Sequence, residues 1–149
     1  MAGTKSSSPP KDLEVTHGAQ TAPEVIVDFV FEDGLFFISI SNISDRPAYK
    51  VSTKFSSKFF GIGGTKEISA LPLFRNIEFL APRKQILTFL DQSGLYFARK
   101  EPTKISARIS YLDSAQRKYA VTIDHDLEIY REIGFIRTAK DIAFDGVSD

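Results

Sequence analysis

The sequence of 149 residues contains no cysteine and no tryptophan, and its charges cancel. The absence of cysteine excludes disulfides, thiol catalysis and thiolate metal sites. Lysine plus arginine equals aspartate plus glutamate at 19 each, so the formal net charge is zero. The chain therefore lacks the basic excess that would indicate a nucleic-acid partner. A chain without net charge also has little electrostatic repulsion against self-association.

Long apolar runs are also missing. No stretch approaches the roughly 18 consecutive apolar residues that a membrane-spanning helix needs. The first ten residues, MAGTKSSSPP, lack the apolar core of a secretory signal. Together with the lack of cysteine, which fits a reducing compartment, this predicts a soluble, cytoplasmic protein without a membrane span.

The sequence carries no recognisable catalytic motif. Its two histidines, His17 and His125, cannot build a histidine-rich metal site or a Cys–His nucleophile pair. There is no G-x-S-x-G elbow, and Gly61, Gly63 and Gly64 match neither phosphate-binding glycine motif. We therefore expect no catalytic residues, no cofactor and no bound metal, and a protein that is not an enzyme.

What the chain does contain is typical of a globular fold rich in strands: 42% hydrophobic and 12% aromatic residues, with 13 phenylalanines and five tyrosines. Residues 1–23 are polar around Ser-Ser-Ser-Pro-Pro and are predicted to be a disordered tail. Residues 24–131 are predicted to form one β-sandwich. Residues 132–149 are predicted to be a C-terminal extension, partly packed or flexible, whose apolar residues would pack on the sandwich or dock elsewhere.

The first strand pair is predicted around Asp33-Gly34, a two-residue turn between runs of alternating apolar residues. If Glu32 pairs with Leu35, all the apolar residues of one face oppose each other across the pair. The pairs are Phe31 with Phe36, Phe29 with Ile38, and Val27 with Ile40. A slip of one residue would break this match, so the register is itself a prediction.

A second hairpin is predicted over 102–130. Pairing Tyr111 with Tyr119 places the apolar residues of both strands on one face and sets Lys104 opposite Asp126 on the other. The same alternation extends the second strand through Leu127 and Ile129.

The segments between the two hairpins supply further strands. Residues 49–55 alternate as a strand, and 85–90 have bulk on both faces, which suits a strand buried on both sides or an edge strand under a loop. Residues 68–80 are broken by Pro72 and fit an edge strand or an extended crossover. Residues 95–98 fit either a short crossover strand or a helical turn.

Three stretches of this sequence resemble bacterial immunoglobulin-like and fibronectin-III-like (CARDB-type) modules. Asn42 is followed by a short turn ending at Pro47 and then by Ala48-Tyr49-Lys50-Val51. Leu80-Ala81-Pro82-Arg83-Lys84 precedes a strand, although Arg83 stands where glycine is commoner. Tyr111-Leu112-Asp113 precedes the last turn. The resemblance implies an all-β fold, an immunoglobulin-like antiparallel β-sandwich of about seven strands, without catalytic residues.

Candidate contact residues lie in the loop 56–67, SSKFFGIGGTKE. Phe59, Phe60 and Ile62 would form a binding surface on a flexible glycine hinge. The alternative is a connection between sheets whose phenylalanines cap the core, since aromatic side chains prefer burial.

A second candidate is the acidic cluster around His125. Alternation places Asp124, Asp126 and Glu128 on one strand face in steps of about 7 Å, where they would attract Ca²⁺ or a basic partner. The alternative is a solvated acidic stripe, partly neutralised by Lys104. His125 falls on the opposite face, where we expect a core histidine whose ring nitrogens bond to backbone rather than a ligand or catalyst.

These observations predict a non-catalytic protein-interaction or structural module. Its expected contact surfaces are the loop, an exposed strand edge or the C-terminal segment. Its expected partner is another protein. The alternative function is a small-ligand module for sugar or Ca²⁺ that uses exposed acidic and aromatic residues. The lack of tryptophan weakens the sugar version, because tryptophan is the usual stacking platform for sugars.

Gly34→Val tests the first turn. A type I′ turn needs positive φ at Gly34, where valine is strained, so we expect the substitution to lower the free energy of unfolding by more than about 1 kcal/mol. Chemical denaturation measures this. An unchanged midpoint and slope would mean that the turn is wrongly assigned.

Overall fold

The computed structural model describes residues 22–133, which are mostly strand. In chain order the strands are β1 Val25–Glu32, β2 Leu35–Asn42, β3 Ala48–Phe55, β4 Phe60–Gly61, β5 Lys66–Glu67, β6 Ile77–Leu80, β7 Gln85–Gln92, β8 Lys104–Leu112 and β9 Lys118–Asp126. Two short α-helices, α1 Pro72–Arg75 and α2 Ser93–Ala98, and two 3-10 helices, Ile68–Ala70 and Leu127–Tyr130, complete the described part.

Seven of these strands form two antiparallel sheets. The four-stranded sheet has the order β9-β8-β3-β6 and the three-stranded sheet the order β1-β2-β7. The chain changes sheet after β2, after β6 and after β7, so each sheet is built from distant parts of the sequence. The two-residue strands β4 and β5 pair only with each other. The predicted all-β sandwich of about seven strands is confirmed.

The first hairpin has the predicted register. Glu32 pairs with Leu35 and Val27 pairs with Ile40 across β1 and β2. Asp33 has φ 54° and Gly34 has φ 77°, as a type I′ turn requires. The apolar face of both strands is buried because it packs against the second sheet.

The second hairpin also has the predicted register, with Tyr111 opposite Tyr119 and Lys104 opposite Asp126. The predicted continuation of its second strand is wrong. The strand ends at Asp126, whose carboxylate accepts a hydrogen bond from the Glu128 N–H at 3.0 Å and starts a 3-10 helix. An aspartate that bonds the backbone two residues on competes with the sheet ladder, and this local bond wins here.

The two ambiguous segments contain the two α-helices. Pro72 is the first residue of α1, a position whose N–H has no partner within a helix, so proline loses no hydrogen bond there. The chain then enters the short edge strand β6. Residues 95–98 lie in α2, so the helical turn is the correct alternative there. Helix α2 follows β7 directly and carries the chain back to the four-stranded sheet.

The core between the sheets is rich in aromatic rings. Phe55 lies edge-on to Phe59 and to Phe74, with ring centroids 5.0 and 4.9 Å apart. Phe59 and Phe74 both come from the long connection between β3 and β6, so that connection closes one side of the core. Such tilted ring pairs stabilise a core beyond the area that they bury.

The start of the described chain belongs to the core. Pro23, which the sequence analysis places in the tail, is buried, and its carbonyl accepts a hydrogen bond from the Tyr111 hydroxyl at 3.3 Å. Residues 1–21, which are predicted to be disordered, and residues 134–149 of the predicted C-terminal extension lie outside the described residues.

Asp113 organises the turn between β8 and β9. Its buried carboxylate accepts hydrogen bonds from the backbone N–H groups of Ala115 and Arg117, from the Arg117 guanidinium and from the Tyr119 hydroxyl, all between 2.8 and 2.9 Å. Burial acts to raise the pKa of Asp113, but these hydrogen bonds outweigh it and lower the pKa from 3.8 to about 2.

Asp113→Asn should therefore destabilise the fold in a pH-dependent way. A carboxylate whose pKa is lowered by folding stabilises the native state above its unfolded pKa, and that stabilisation is lost as the pH falls from about 4 to about 2. We expect the stability difference between wild type and variant to be full at pH 6 and to shrink over this window. Urea denaturation at each pH measures it.

The matched control is Glu24→Gln, which removes an exposed carboxylate near the same end of the sandwich. A difference between wild type and Asp113→Asn that stays constant from pH 6 to pH 2 would contradict the assigned role of the carboxylate.

Candidate functional site

The loop 56–67 does not carry both of its phenylalanines on the surface. Phe59 has no exposed area, and its ring packs 5.9 Å from that of Phe29 in the core. Its predicted role as a contact residue is therefore wrong, because the loop crosses the open side between the sheets and needs a large apolar side chain underneath. Phe60 is half-buried in β4. Ile62 is 49% exposed.

The glycine segment of this loop is bonded to β7 instead of forming a free hinge. The Ile62 N–H donates to the Leu90 carbonyl at 2.9 Å, and the Gly63 N–H donates to the Asp91 carboxylate at 3.2 Å. Gly61 is required for this approach, since a Cβ there would clash with the Leu90 carbonyl oxygen. The loop thus lies directly against the C-terminal end of β7.

An ion pair between a buried carboxylate and a half-buried guanidinium holds the loop in place. The Asp91 carboxylate is 2% exposed and lies 2.7 Å from the Arg99 guanidinium. Arg99 also donates to the Phe60 carbonyl at 2.9 Å and lies 3.4 Å from the Glu101 carboxylate. Burial lowers the pKa of Arg99, but the hydrogen bonds and charges of Asp91 and Glu101 outweigh this and raise it. We call Asp91, Arg99 and Glu101 the loop clamp.

Sequence reasoning missed the loop clamp. Its one local signal is an aspartate that directly follows the apolar run 86–90, at a position where a strand side chain turns inward. The partner Arg99 stands eight residues further on, beyond a helix that the pattern left undecided. The pairing therefore depends on tertiary structure that no local pattern encodes.

Ile62 adopts a strained backbone conformation. Its φ of 53° lies in the left-handed region, which a β-branched residue rarely occupies. The bonds to β7 and the loop clamp compensate this strain, and the result is an apolar side chain held out toward solvent. Strained residues of this kind are concentrated at functional sites.

The three carboxylates of the acidic cluster are not brought together. Asp124 accepts a hydrogen bond from the Ser106 hydroxyl at 2.6 Å, and Asp126 caps the last 3-10 helix. Glu128 lies within that helix and pairs with Arg131 at 2.8 Å. The predicted stripe that includes Glu128 is wrong, because the strand ends before it. Within residues 22–133, no group of three acidic or histidine side chains is arranged to hold a metal ion.

His125 packs between the two sheets, as a core histidine should. Its ring lies edge-on to Phe29 with centroids 5.0 Å apart, and Nε2 donates to the Val27 carbonyl at 3.0 Å. The other ring nitrogen, Nδ1, lies 3.8 Å from the Asp28 carboxylate rather than on backbone. The expected backbone bond is therefore present for one nitrogen, and it joins β9 to the edge of β1.

Three of the four edge strands in the described sheets are protected against further pairing. The carbonyl of Pro23, just before β1, and the outward carbonyls of Val27 and Phe29 on it accept hydrogen bonds from Tyr111, His125 and Tyr130 at 3.3, 3.0 and 3.5 Å. Strand β9 carries exposed charges at both ends, Lys118 and Asp126. Strand β6 is four residues long, and Glu78 on it pairs with Lys50 at 3.0 Å. Charge, shortness and side-chain cover are the usual protections of an edge.

The fourth edge strand, β7, has none of these protections over residues 85–89. It is eight residues long and pairs only with β2 in the described part of the chain. Leu87 is 51% exposed and Phe89 is 36% exposed, and no charged residue lies between Gln85 and Leu90. Of the two alternatives expected for this strand, burial on both faces is wrong, and β7 is an edge strand whose Asp91 end lies against the loop 56–67. We call the outer side of residues 85–89, with Ile62 at its end, the β7 edge.

A cavity of about 380 Å³ lies elsewhere, beside the β8–β9 turn. Its charged groups already have partners: Lys50 with Glu78, and Asp113 with Arg117. The remaining lining comes from Tyr49, Leu112, Ser114 and Gln116. We therefore regard the β7 edge as the stronger candidate for a functional surface.

Arg99→Met tests the loop clamp. Removing the guanidinium leaves the Asp91 carboxylate buried without its counter-ion, and we expect the free energy of unfolding to fall by about 3 kcal/mol. Amide exchange at Ile62 and Gly63 should accelerate more than exchange in β8, because the loop loses its anchor. Denaturation and exchange measured by NMR check both effects.

Two further variants serve as controls. Arg83→Met breaks the exposed pair with Asp45 at 2.9 Å and should change stability little. Arg99→Met combined with Asp91→Asn should recover part of the loss, because the buried charge is gone. Equal effects of Arg99→Met and Arg83→Met would contradict the clamp.

The comparisons with known proteins add a family but no function. No curated protein and no solved structure matches the chain. Within residues 22–133 there is also no helix long and apolar enough to cross a membrane. One family model matches residues 11–131, and the chain accordingly belongs to the family described as Domain of unknown function (DUF8453).

Proposed function

We propose that the protein is a non-catalytic protein-interaction module that binds an extended segment of its partner along the β7 edge. One observation carries this proposal: in the described part of the chain, the outer side of residues 85–89 has no strand partner and no charged residue, and it exposes Leu87 and Phe89. An added strand would receive main-chain hydrogen bonds from β7 for affinity. Leu87 and Phe89 would contact alternate side chains of that segment and supply selectivity.

The strand order supports an immunoglobulin-like module. The sheets β1-β2-β7 and β9-β8-β3-β6 correspond to the A-B-E and G-F-C-C′ grouping of such sandwiches when the strands are lettered in chain order. Modules of this architecture commonly act by contact rather than by chemistry, although the fold by itself never decides the function.

Ile62 extends the proposed surface. Its N–H donates to the Leu90 carbonyl, next to the end of residues 85–89, and its strained backbone holds the side chain beyond the end of the β7 edge. A partner strand that pairs with residues 85–89 would meet Ile62 next. Of the three contact residues expected in the loop, Ile62 is part of the proposed surface and half-buried Phe60 lies outside it. Phe59 is excluded because it is buried.

The alternative of a sugar or Ca²⁺ module has less support. The carboxylates of Asp124, Asp126 and Glu128 each have a separate partner in the described part of the chain. The exposed aromatic residue Phe79 lies beside Tyr49, with ring centroids 5.4 Å apart in an edge-to-face arrangement instead of forming a flat platform.

Leu87→Lys tests the proposed function. A displayed library of unstructured peptides is selected against the full chain, and the enriched peptides are titrated by calorimetry. A lysine at this position places a charge on the docking face and removes a Leu contact worth about 1.5 kcal/mol or more, so binding should weaken about tenfold or more.

Phe79→Lys is the matched control, since it alters an equally exposed apolar side chain on the edge strand of the other sheet. It should leave peptide binding unchanged. Selected peptides that bind Leu87→Lys as tightly as wild type would place the contact surface elsewhere, and loss in both variants would indicate non-specific apolar binding.

A further inference from the structure

In the described part of the chain, the β7 edge is bounded at both ends. Before it the backbone turns, with the Lys84 N–H donating to the Ala81 carbonyl at 3.1 Å, and this turn leads from β6 in the other sheet. Beyond residue 89 the loop 56–67 lies against the strand, because the Ile62 N–H donates to the Leu90 carbonyl at 2.9 Å. The edge therefore suits a short strand that itself turns away at both ends of the contact.

The hydrogen-bond phase of β7 is symmetric about its exposed leucine. The Asn42 N–H donates to the Lys84 carbonyl at 2.9 Å, so Lys84 and every second residue after it bond to β2 in the regular part of the pair. The backbone groups of Gln85, Leu87 and Phe89 therefore point outward, with Leu87 at their centre. A second β7 can approach as an antiparallel strand so that each of these outward residues meets another outward residue.

We propose that the partner strand at the β7 edge is the β7 of a second copy of this chain, related to the first by a two-fold axis beside Leu87. Leu87 then lies opposite Leu87 of the second copy, and Phe89 lies opposite Gln85 of the second copy. The opposed pairs would exchange about six main-chain hydrogen bonds and join the two three-stranded sheets into one continuous sheet. This inference rests on the proposed function, because it names the partner of the same edge.

The side chains of the edge also match a second copy of themselves. Opposed and diagonal residues of an antiparallel pair share a face, so Leu87 and Phe89 of both copies would lie together on the outer side of the joined sheet. Phe37 on β2 extends this cluster, with its ring centroid 5.7 Å from that of Phe89. Leu87 is 51% exposed and Phe89 is 36% exposed in the single chain, so the pairing would remove apolar surface from water.

Charge favours a second copy for the same reason. A two-fold axis brings equal side chains together, and like charges directly opposite each other destabilise a strand pair. Residues 85–89 carry no charge and the formal net charge of the chain is zero, so neither local nor overall repulsion opposes the pairing. The edge strand β9, by contrast, carries Lys118, Asp124 and Asp126.

Two substitutions at the axis test this inference on the full-length chain. Leu87→Lys and Leu87→Glu each set like charges opposite each other, so we expect the dissociation constant of the dimer to rise roughly tenfold or more in each variant. An equimolar mixture of the two variants sets lysine opposite glutamate and should restore the dimer. Sedimentation velocity over a concentration series measures all of these. Phe79→Lys, at an equally exposed position on the other sheet, is the matched control and should dimerise like the wild type.

Recovery of the dimer in the mixture supports the inference, because it requires residue 87 to contact its own copy. A wild type that stays monomeric while the selected peptides still bind overturns this inference and leaves the proposed function standing. A monomeric wild type without peptide binding overturns both. A dimer that Leu87→Lys does not weaken means that the copies meet elsewhere, and loss in both variants without recovery in the mixture contradicts the two-fold register.

Discussion

The backbone N–H and C=O groups at the margins of an open sandwich need partners or water, and this constraint decides most of the surface of the protein. Two sheets have four edge strands, and three of them are protected by different means. Hydroxyl and imidazole groups of the four-stranded sheet and its C-terminal turn cap β1, so His125 bridges the two sheets. Charges protect β9 and a short length protects β6. Within residues 22–133, the outer backbone groups of β7 over residues 85–89 are the exception, and they give the described chain a surface with unused bonding capacity.

The loop clamp links this surface to the core. Phe59 seals the core while Ile62, three residues later, faces solvent, and the chain between them is held by one buried carboxylate and one guanidinium. A buried ion pair adds little net stability, but it specifies one arrangement among several, because any other leaves a charge unpaired. The clamp therefore sets the position of Ile62 relative to β7. Gly61 completes the arrangement, since no side chain fits between the loop and the Leu90 carbonyl.

Both hairpins could be predicted from the sequence, register included, because alternation and the Asp33-Gly34 turn are local signals. The end of β9 could not be predicted, because Leu127 and Ile129 continue the strand period in the sequence, whereas the Asp126 side chain ends the strand by bonding the Glu128 N–H. The sequence of β7 has bulk on both faces, which leaves a buried strand and an edge strand open as alternatives, and it does not indicate that Leu87 and Phe89 are uncovered. Which edges are free depends on the order of strands from distant parts of the chain. The burial of Phe59 and the pairing of Asp91 with Arg99 depend on the same long-range order.

An open apolar edge has a further consequence for a chain with a formal net charge of zero. Such a chain has no overall repulsion to keep its copies apart, and a long uncharged edge strand is a template for pairing between molecules. The edge that suits a partner strand is therefore also the place where two copies of the chain would pair.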